Sequence, residues 1–439
     1  MRLAKAIQTI LGMQSGKIIF LLCFLNPIFF GHMAMNVKDP LVAFAHVWST
    51  YILLRYLKHQ NSENNCYRYV FLVGLTIGLG TGVRLPFVIT LIPLYLFALI
   101  DILLLKKITN QKFSFNKFIF HSLIVFLITY FITISFWPHV HTNIFTEPFK
   151  LFFTGIDESF GVTSILFNGN IFETNKLPNS YLITNFFYKT PEFILICYLI
   201  FIFLIITQKN FFLAKFSFFW NKLLLILFIF LFPIILFTFV PYRVYDGLRL
   251  FIYTIPYFTI IPGLTIYYLV TNLNSLINKI LSGLIVCLFA YYLAIFISFT
   301  PYQYTYLNKF VGNLSNAHNK FENDYWAVSI KELVNQIPNN KDLLNNKELK
   351  LAFCGAADDN VKLYLKKIKN FQFKQVNWLT EDYDYIIMTN RAIEANKNEG
   401  GSDTDNLTGI KTCFDKFKGI DIITVSRNGL ILSTLRERR

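Results

Sequence analysis

Long apolar stretches alternate with short polar connections over the first 300 residues of the chain. The longer stretches reach the roughly 20 residues that an α-helix needs to cross the hydrocarbon core of a membrane. The pattern predicts nine membrane-spanning helices, at Lys17–Phe30, Pro40–Leu57, Tyr69–Val83, Pro86–Leu105, Phe118–Pro138, Pro191–Ile206, Leu223–Val240, Leu250–Thr271 and Leu281–Thr300. The third and fourth stretches are interpreted as a hairpin, because one continuous helix would be longer than a membrane is thick.

Composition supports the same class of protein. Of the 439 residues, 54% are hydrophobic and only 15% are charged, whereas an ordinary soluble domain has about 25% charged residues. The 49 Phe and 24 Tyr also exclude a disordered chain. Most of the net charge of +15 comes from the first 300 residues, which contain 21 Lys and Arg against 9 Asp and Glu. In such an apolar region, this excess indicates membrane orientation and no nucleic-acid partner.

Lysine and arginine concentrate in the connections near residues 55–68, 106–117, 207–222 and 272–279. The positive-inside rule therefore places these loops and the basic lead Met1–Gly16, which has no cleavage site, in the cytoplasm. The reversed orientation stays open as the alternative. We expect a membrane domain over residues 1–300 with a large outer loop at 139–190, in the inner (plasma) membrane of a bacterium. Residues 301–439 would form a periplasmic accessory domain.

The pattern of residues 301–439 predicts a small α/β domain. Asp324 would cap a helix over Tyr325–Gln336, and a second helix would cover Asn360–Lys369. Strands are predicted at Leu349–Cys354, Tyr383–Thr389, Ile420–Ser426 and Leu430–Thr434, the last two joined by Asn428-Gly429. The loop Glu394–Asn406 is expected to be flexible. Of the six cysteines, only Cys354 and Cys413 share the outer compartment, where a disulfide is permitted.

A first polar cluster lies in Gly31–Pro40, which is interpreted as a tight outer loop ending at Asp39 before a span. The loop also offers His32, Asn36 and Lys38. An Asp before Pro at the start of a helix is a common N-terminal cap. Capping does not exclude a further functional role for Asp39.

A second polar cluster lies in Pro241–Arg249, where Arg243, Tyr245, Asp246 and Arg249 follow one another closely. Arginine presents a fork of N–H donors that suits a phosphate, and a carboxylate beside it suits a sugar hydroxyl. The alternative is an aromatic and basic anchor at the membrane interface.

The sequence gives less support to two further candidate sites. Arg84 interrupts an apolar hairpin on the outer side, where it either reaches to the interface or binds a phosphate. His139 and His141 alternate and would share one face of a strand, which permits metal binding, although solvated loop histidines are the favoured interpretation.

The order of these clusters resembles the bacterial GT-C glycosyltransferases of the protein mannosyltransferase and lipid A aminoarabinose transferase kind. The resemblance covers almost the whole chain. It is carried by Phe30-Gly31-His32, Asn36–Pro40, Trp137-Pro138, Asn168-Gly169, Leu177–Tyr181, Thr190-Pro191, Tyr245–Arg249, Pro301–Tyr304, Asn308 and Asp324-Tyr325-Trp326.

The resemblance implies a GT-C-like helical bundle that transfers a hexosyl or pentosyl group. The donor would be a polyprenyl-phosphate-linked sugar in the membrane lipid, and the acceptor a glycan, lipid or protein on the outer face. Asp39 would be the catalytic base or a ligand of Mg²⁺ or Mn²⁺. The donor phosphate would bind to Lys38, Arg84, Arg243 and Arg249. Other contacts to substrate would come from His32, Asn36, Tyr245 and Asp246.

The chain departs from this family at its start. The relatives usually carry their main catalytic Asp in an earlier outer loop, so we expect the first two spans of the family to be missing here. Asp39 matches the second acidic motif of the family, and Leu250 stands where relatives often have His. A truncated start, an Asp39 that acts alone and a non-catalytic membrane scaffold therefore stay open. A lipid or sugar transporter is a further alternative, although no internal repeat is evident.

Overall fold

The computed structural model describes residues 13–61, 63–109, 113–157, 162–240, 242–344, 348–393 and 412–438. The basic lead up to residue 12 and the predicted flexible loop Glu394–Asn406 lie outside the described residues. The described α-helices are Met13–Phe24, Pro27–Met35, Lys38–His59, Glu63–Val83, Phe87–Thr90, Ile92–Ile100, Phe115–Phe136, Glu147–Asp157, Tyr181–Lys189, Glu192–Thr207, Lys209–Lys215, Phe219–Phe239, Ile255–Phe258, Ile260–Thr271, Leu276–Ser298, Ile330–Gln336, Lys341–Leu344, Asp358–Leu365 and Cys413–Lys416.

Six helical stretches in the described part are long and apolar enough to cross a membrane. They are Asn65–Val83, Phe87–Leu105, Phe115–Phe136, Phe219–Phe239, Arg249–Thr271 and Leu276–Ser298. The number rises to eight if two bent helix pairs each form one span, Gln14–Phe24 with Pro27–Met35 and Tyr181–Lys189 with Glu192–Thr207. The chain is therefore a multi-pass membrane protein, and the predicted helical membrane class is confirmed.

The sequence pattern predicted nine spans. Eight of them correspond to the six single stretches and the two bent pairs, and the ninth is not long and apolar enough to be counted as a span. This is the helix Lys38–His59, which is long enough but less apolar than the others. It buries His46, Ser49 and Thr50 inside the protein. Nδ1 of His46 lies 2.8 Å from the hydroxyl of Tyr257, and its Nε2 lies 3.0 Å from the carbonyl oxygen of Thr90. Both ring nitrogens of the buried His46 thus have hydrogen-bonding partners on neighbouring segments.

Glycines on the helix Glu63–Val83 determine how closely it packs against the helix Phe115–Phe136. A Cβ added at Gly74 would lie 2.8 Å from Cβ of Ile128, and one added at Gly78 would lie 2.8 Å from Cβ of Ile132. Small residues spaced four apart allow helix backbones to approach in a membrane, where packing replaces the hydrophobic effect. The opposite face of Phe115–Phe136 exposes large apolar side chains, as expected of a lipid-facing surface, including Leu123, Phe126 and Phe131.

The described residues divide into two compact units. The first takes its residues from Met1–Glu158, Thr190–Tyr242 and Leu248–Ala290, and the second from Ser159–Lys189, Arg243–Gly247 and Tyr291–Arg439. The second unit is therefore larger than the predicted domain 301–439. It includes Ser159–Lys189 of the predicted outer loop 139–190 and Arg243–Gly247 of the cluster Pro241–Arg249.

The second unit contains all seven described strands. They are β1 Ser164–Phe167, β2 Asn170–Glu173, β3 Leu349–Cys354, β4 Phe373–Gln375, β5 Tyr385–Thr389, β6 Gly419–Arg427 and β7 Leu430–Arg438. β1 and β2 form an antiparallel hairpin, and the other five form one sheet in the order β4-β3-β5-β7-β6. β3 is parallel to both β4 and β5, whereas β7 is antiparallel to β5 and β6. The predicted small C-terminal α/β domain is confirmed.

Most predicted elements of this domain are present. β3 has its predicted bounds, and β6 and β7 meet at Asn428-Gly429, whose φ angles of 50° and 84° suit a tight hairpin turn. The predicted helix Tyr325–Gln336 is wrong in its first part, and helix begins only at Ile330. The reason is local, because Ala327 has a φ of 51° that no α-helix accommodates.

The interpretation of His139 and His141 as strand neighbours is wrong. They lie in the 3₁₀ helix Pro138–Thr142, where both are exposed. Nε2 of His141 lies 2.7 Å from the carbonyl oxygen of Ile134. This agrees with the favoured interpretation of solvated loop histidines.

Candidate functional site

Asp39 lies in the first unit, at the start of the helix Lys38–His59. The preceding helix Pro27–Met35 begins with Pro in its first turn and is capped by Asn26, whose side chain accepts hydrogen bonds from two backbone N–H groups. Helix therefore occupies most of the predicted loop Gly31–Pro40, and only Asn36 and Val37 separate the two helices. Asn36 is extended, with a φ of −145°, so the chain turns there.

The predicted capping role of Asp39 is wrong. Val37 occupies the N-cap position of the helix, and Asp39 lies within the first turn. A carboxylate there is still favoured by the helix dipole. The amide of Asn36 donates a hydrogen bond to Oδ2 of Asp39, so the two residues of the predicted cluster contact each other.

Two arginines from distant parts of the sequence reach this carboxylate. Nη1 of Arg84 donates to Oδ1 of Asp39 at 2.9 Å, and Nε of Arg249 donates to Oδ2 at 3.1 Å. Arg84 directly follows the helix Glu63–Val83, and Arg249 begins the 3₁₀ helix Arg249–Thr254, which packs against Lys38–His59. Three residues of the predicted site therefore meet as an Arg84–Asp39–Arg249 cluster.

The cluster combines burial with an excess of positive charge. The side chain of Asp39 is 5% exposed, that of Arg249 is 16% exposed and that of Arg84 is 30% exposed. Arginine stays protonated in proteins, so two guanidinium groups and one carboxylate leave a net charge of +1. A partly exposed arginine pair with this excess suits an anion with several oxygens, such as a phosphate.

The donor set at Asp39 does not fit the divalent cation that the resemblance implies. Both carboxylate oxygens already accept hydrogen bonds, and two guanidinium cations stand where a metal ion would have to approach. Within the described residues, no three His, Cys, Asp or Glu side chains form a group that could hold a metal. Mg²⁺ requires near-octahedral oxygen coordination, and this cluster does not provide it.

Two other candidates of the first cluster take different positions. Lys38 is exposed, and its backbone N–H donates to Oδ1 of Asn36 at 3.3 Å. His32 is fully buried in the helix Pro27–Met35, with Nδ1 2.7 Å from the carbonyl oxygen of Ile28. The buried position of His32 favours a structural role over contact with substrate.

Asp246, Arg243 and Tyr245 belong to the second unit. Asp246 is buried, whereas Arg243 and Tyr245 are half-buried. Asp246 and Gly247 have positive φ angles of 57° and 64°, which turn the chain sharply. Oδ1 of Asp246 accepts from Nη1 of Arg391 at 2.9 Å. Asp246 is therefore paired with an arginine that the sequence did not suggest.

Glu322 completes this second charged group. Its Oε2 lies 3.4 Å from Nη1 of Arg391, and its Oε1 accepts from the backbone N–H of Ala392 at 2.8 Å. Burial raises the pKa of Glu322, and the nearby Arg391 opposes this shift. The group therefore keeps two buried carboxylates around one guanidinium.

Asp324 lies in a separate buried network of the second unit. Burial raises its pKa, although hydrogen bonds from Ser329 and Tyr304 oppose this. Its Oδ2 accepts from the backbone N–H of Ser329 at 2.8 Å. The predicted helix cap at Asp324 is thus a satisfied structural carboxylate, and the helix itself starts at Ile330.

Sequence reasoning missed Lys189, Glu322 and Arg391, which surround Asp246 in the second unit. Lys189 is 3% exposed although it carries an ammonium group. Lysine is rarely buried without a reason. The one signal in the sequence was that Lys189 directly precedes the motif Thr190-Pro191. Glu322 lies two residues before the motif Asp324-Tyr325-Trp326 but was not singled out, and Arg391 lies in a segment without a recognisable motif.

No family model matches the sequence, and no curated protein matches it. Several solved structures are similar to the structure of this chain. The crystal structure of ArnT from Cupriavidus metallidurans in the apo state matches with a TM-score of 0.47 and 10% identity over 99% of this chain and 80% of that chain.

The crystal structure of the same ArnT bound to undecaprenyl phosphate matches with a TM-score of 0.45 and 11% identity, over 99% of this chain and 81% of that one. The apo oligosaccharyltransferase from Archaeoglobus fulgidus matches with a TM-score of 0.38 and 12% identity. That match covers 88% of this chain and 56% of the oligosaccharyltransferase.

Proposed function

We propose that the chain is a membrane glycosyltransferase of the GT-C kind that binds the phosphate of a polyprenyl-phosphate donor at the Arg84–Asp39–Arg249 cluster. The observation that carries this proposal is the pair of partly exposed arginines on one buried carboxylate. A polyprenyl donor stays in the bilayer, so its phosphate arrives at the membrane interface. Cations must neutralise that phosphate while the bond to the sugar breaks.

Within this proposal, Asp39 is a positioning residue that fixes the two arginines. Both of its oxygens are occupied, which leaves little capacity to accept a proton from an acceptor hydroxyl. Its role as catalytic base, which the sequence resemblance implies, is the competing hypothesis. The two roles predict different effects on binding of the donor phosphate. A positioning residue is needed for that binding, whereas a catalytic base is not.

Undecaprenyl phosphate is a suitable probe, and its binding to the purified chain can be followed by native mass spectrometry. We expect Arg84→Gln and Arg249→Gln each to weaken binding at least tenfold, which corresponds to about 1.4 kcal/mol. The matched control is Arg68→Gln, an exposed arginine in the same unit. Equal binding by the wild type and both cluster variants would refute the donor site.

Asp39→Asn separates the two roles. A positioning residue predicts weaker binding of undecaprenyl phosphate, because the arginines are no longer held by a charge. A catalytic base predicts unchanged binding with loss of transfer from undecaprenyl-phosphate mannose in isolated membranes. If binding and transfer both stay at wild-type levels, Asp39 has neither role and its contacts with the two arginines are structural.

We also propose that the reaction needs no metal at Asp39. The arginine pair supplies the positive charge that a divalent cation supplies in other transferases. Undecaprenyl phosphate binding should therefore be unchanged after dialysis against EDTA. A loss that Mg²⁺ or Mn²⁺ restores would overturn this part of the proposal and would reinstate the metal predicted from the sequence resemblance.

The orientation proposed for the chain places the second unit on the periplasmic side of a bacterial inner membrane. Two observations support it, the excess of Lys and Arg in the opposite loops and the disulfide between Cys354 and Cys413. Fusions at the C-terminus test it. Alkaline phosphatase should be active there and green fluorescent protein should be dark, and the opposite result would reverse the topology.

A further inference from the structure

The helix Lys38–His59 of the first unit has one face that is not buried. More than half of its residues are buried, and the side chains of the remaining face are spaced three or four residues apart, which places them on one side of a helix. Leu41 and Phe44 on this face are 47% and 48% exposed. The rings of Phe44 and Trp48 lie 6.0 Å apart, and those of Trp48 and Tyr51 lie 5.6 Å apart. Up to Tyr51, this face is therefore apolar and aromatic, as expected of a surface that meets lipid.

The same face becomes basic in its last turns. Arg55 is the next residue along it, and Lys58 and His59 follow Arg55 by three and four positions. Residues at these spacings are neighbours on a helix, so the charges of Arg55 and Lys58 repel each other. Lys222, at the start of the helix Phe219–Phe239, adds an ammonium group close enough to Lys58 for the two to repel as well. One stripe along the helix thus changes from apolar to positively charged, and it consists of Leu41, Phe44, Trp48, Tyr51, Arg55 and Lys58.

Arg55 has few acceptors although it is partly buried. Its Nε is buried without a hydrogen-bond partner, and its Nη2 donates to the hydroxyl of Tyr69 at 3.4 Å. Within the described part of the chain, no carboxylate forms an ion pair with Arg55. Arg249 and Arg391, which are 16% and 18% exposed, each pair with a carboxylate. A partly buried guanidinium without a counter-ion costs free energy, so an anion from outside the protein would stabilise Arg55.

The position of Arg55 determines which anion fits. Arg55 follows Asp39 by 16 helical residues, which is about 24 Å along a helix and approaches the roughly 30 Å thickness of the hydrocarbon core. The two residues therefore lie near opposite ends of the helix, and Arg55 lies near the level of lipid headgroups. A free phosphate would contact only the basic end of the stripe. A phospholipid also has acyl chains, which suit the apolar part.

From this arrangement we propose that the stripe binds an anionic phospholipid. Its headgroup phosphate accepts hydrogen bonds from Arg55 and Lys58, and its acyl chains lie along Phe44, Trp48 and Tyr51. Arginine presents a fork of donors that suits phosphate oxygens, and basic pockets between membrane helices bind the headgroups of anionic lipids. The proposal goes beyond the donor site at the other end of the helix, and it does not depend on the chain being a transferase.

Native mass spectrometry of the full chain tests this proposal. Dioleoyl phosphatidylglycerol is the anionic probe, and dioleoyl phosphatidylcholine is the zwitterionic one. We expect the wild type to bind phosphatidylglycerol more tightly than phosphatidylcholine. Arg55→Gln should weaken phosphatidylglycerol binding about fivefold, which is roughly what one basic residue contributes near an anionic membrane surface. Excess inorganic phosphate should not displace the lipid, because it has no acyl chains to contact the stripe.

The matched control is Arg68→Gln, which removes an exposed arginine near the start of the neighbouring helix Glu63–Val83. It should bind phosphatidylglycerol as the wild type does. The unfolding temperature of each variant shows whether it has folded. If Arg55→Gln does not fold, Lys58→Gln replaces it in the test, because Lys58 is exposed and its loss leaves the packing unchanged.

Four results would each overturn the proposal. They are equal binding of the two lipids by the wild type, unchanged phosphatidylglycerol binding in the folded variants of the stripe, an equal loss in Arg68→Gln, and displacement of the lipid by inorganic phosphate. Arg84→Gln and Arg249→Gln should bind phosphatidylglycerol as the wild type does. Failure of the donor site would therefore leave this proposal standing, and failure of the stripe would leave the donor site standing.

Discussion

Nε of Arg249 donates to Oδ2 of Asp39 at 3.1 Å, although 210 positions separate the two residues in the sequence. Such a contact between a buried carboxylate and a mostly buried guanidinium is costly to break from one side, because the remaining charge loses its partner. Arg84 donates to the other oxygen of Asp39 but is nearly twice as exposed as Arg249. If Arg84 is removed, water can therefore replace part of its hydrogen bonding to Asp39.

This difference predicts an order of stabilities. Arg249→Gln should lower the free energy of unfolding by about 3–5 kcal/mol, the range for broken buried pairs. Arg84→Gln should cost less, on the order of 1 kcal/mol, because exposed pairs contribute little. The unfolding temperature in detergent, followed by tryptophan fluorescence, measures both. A larger loss for Arg84→Gln than for Arg249→Gln would contradict the exposure argument.

Hydrophobic patterning was sufficient to predict the membrane class and four of the five strands in the sheet of the C-terminal domain, but not β4. β3 was predicted with its observed bounds, because its apolar run ends at a disulfide cysteine and a glycine. Contacts between distant residues were harder to predict. Asp39 and Arg249 were both named as site residues, yet nothing local to either showed that they form an ion pair.

Other features could not be derived from local pattern at all. Arg391 pairs with Asp246 across 145 positions, and no motif surrounds it. Val37 takes the N-cap position that Asp39 was expected to fill, because the helix Pro27–Met35 extends through Gly31 and His32 and leaves a two-residue connection. Local propensity at Gly31 indicated a loop, and tertiary packing selected a helix.

The disulfide between Cys354 and Cys413 predicts a measurable contribution to the stability of the second unit. The two cysteines are 59 positions apart, and closing a loop of that length removes about 4 kcal/mol of conformational entropy from the unfolded chain. Cys354→Ser and Cys413→Ser should each lower the unfolding temperature, and wild type in reducing agent should behave like them.

The control for this prediction is Cys287→Ser, which removes an exposed free cysteine. It should leave the unfolding temperature unchanged, with or without reducing agent. A fall of equal size in all three serine variants would show that the effect does not come from the disulfide.

The raised pKa of Glu322 predicts that the stability of the protein depends on pH. Its ordinary pKa is 4.5, and burial raises the value in the folded protein, against the opposing effect of Arg391. The folded state therefore keeps a proton that the unfolded chain has released. The contribution of Glu322 to stability is greatest below pH 4.5 and is lost as the pH rises through its raised pKa.

Glu322→Gln should remove this contribution to the pH dependence. Between pH 4.5 and 7.5, the unfolding temperature of the wild type should fall more steeply than that of the variant. Asp324, whose pKa is also raised, affects both proteins equally. The control is Glu173→Gln at an exposed position, and its profile should follow the wild type. Parallel profiles for wild type and Glu322→Gln would contradict the shift.

The packing of two membrane helices through Gly78 gives the last prediction. Alanine is a better helix former than glycine by about 1 kcal/mol, so Gly78→Ala would stabilise an isolated helix. In the protein its Cβ would lie 2.8 Å from Cβ of Ile132, a distance that forces the helices apart. Overpacking of this kind costs about 1–3 kcal/mol, so the variant should unfold at a lower temperature. Gly283→Ala is the matched control, because a Cβ at Gly283 meets no atom within 4 Å. It should leave stability unchanged or raise it, and an equal response of the two variants would show that the close approach at Ile132 does not limit this position.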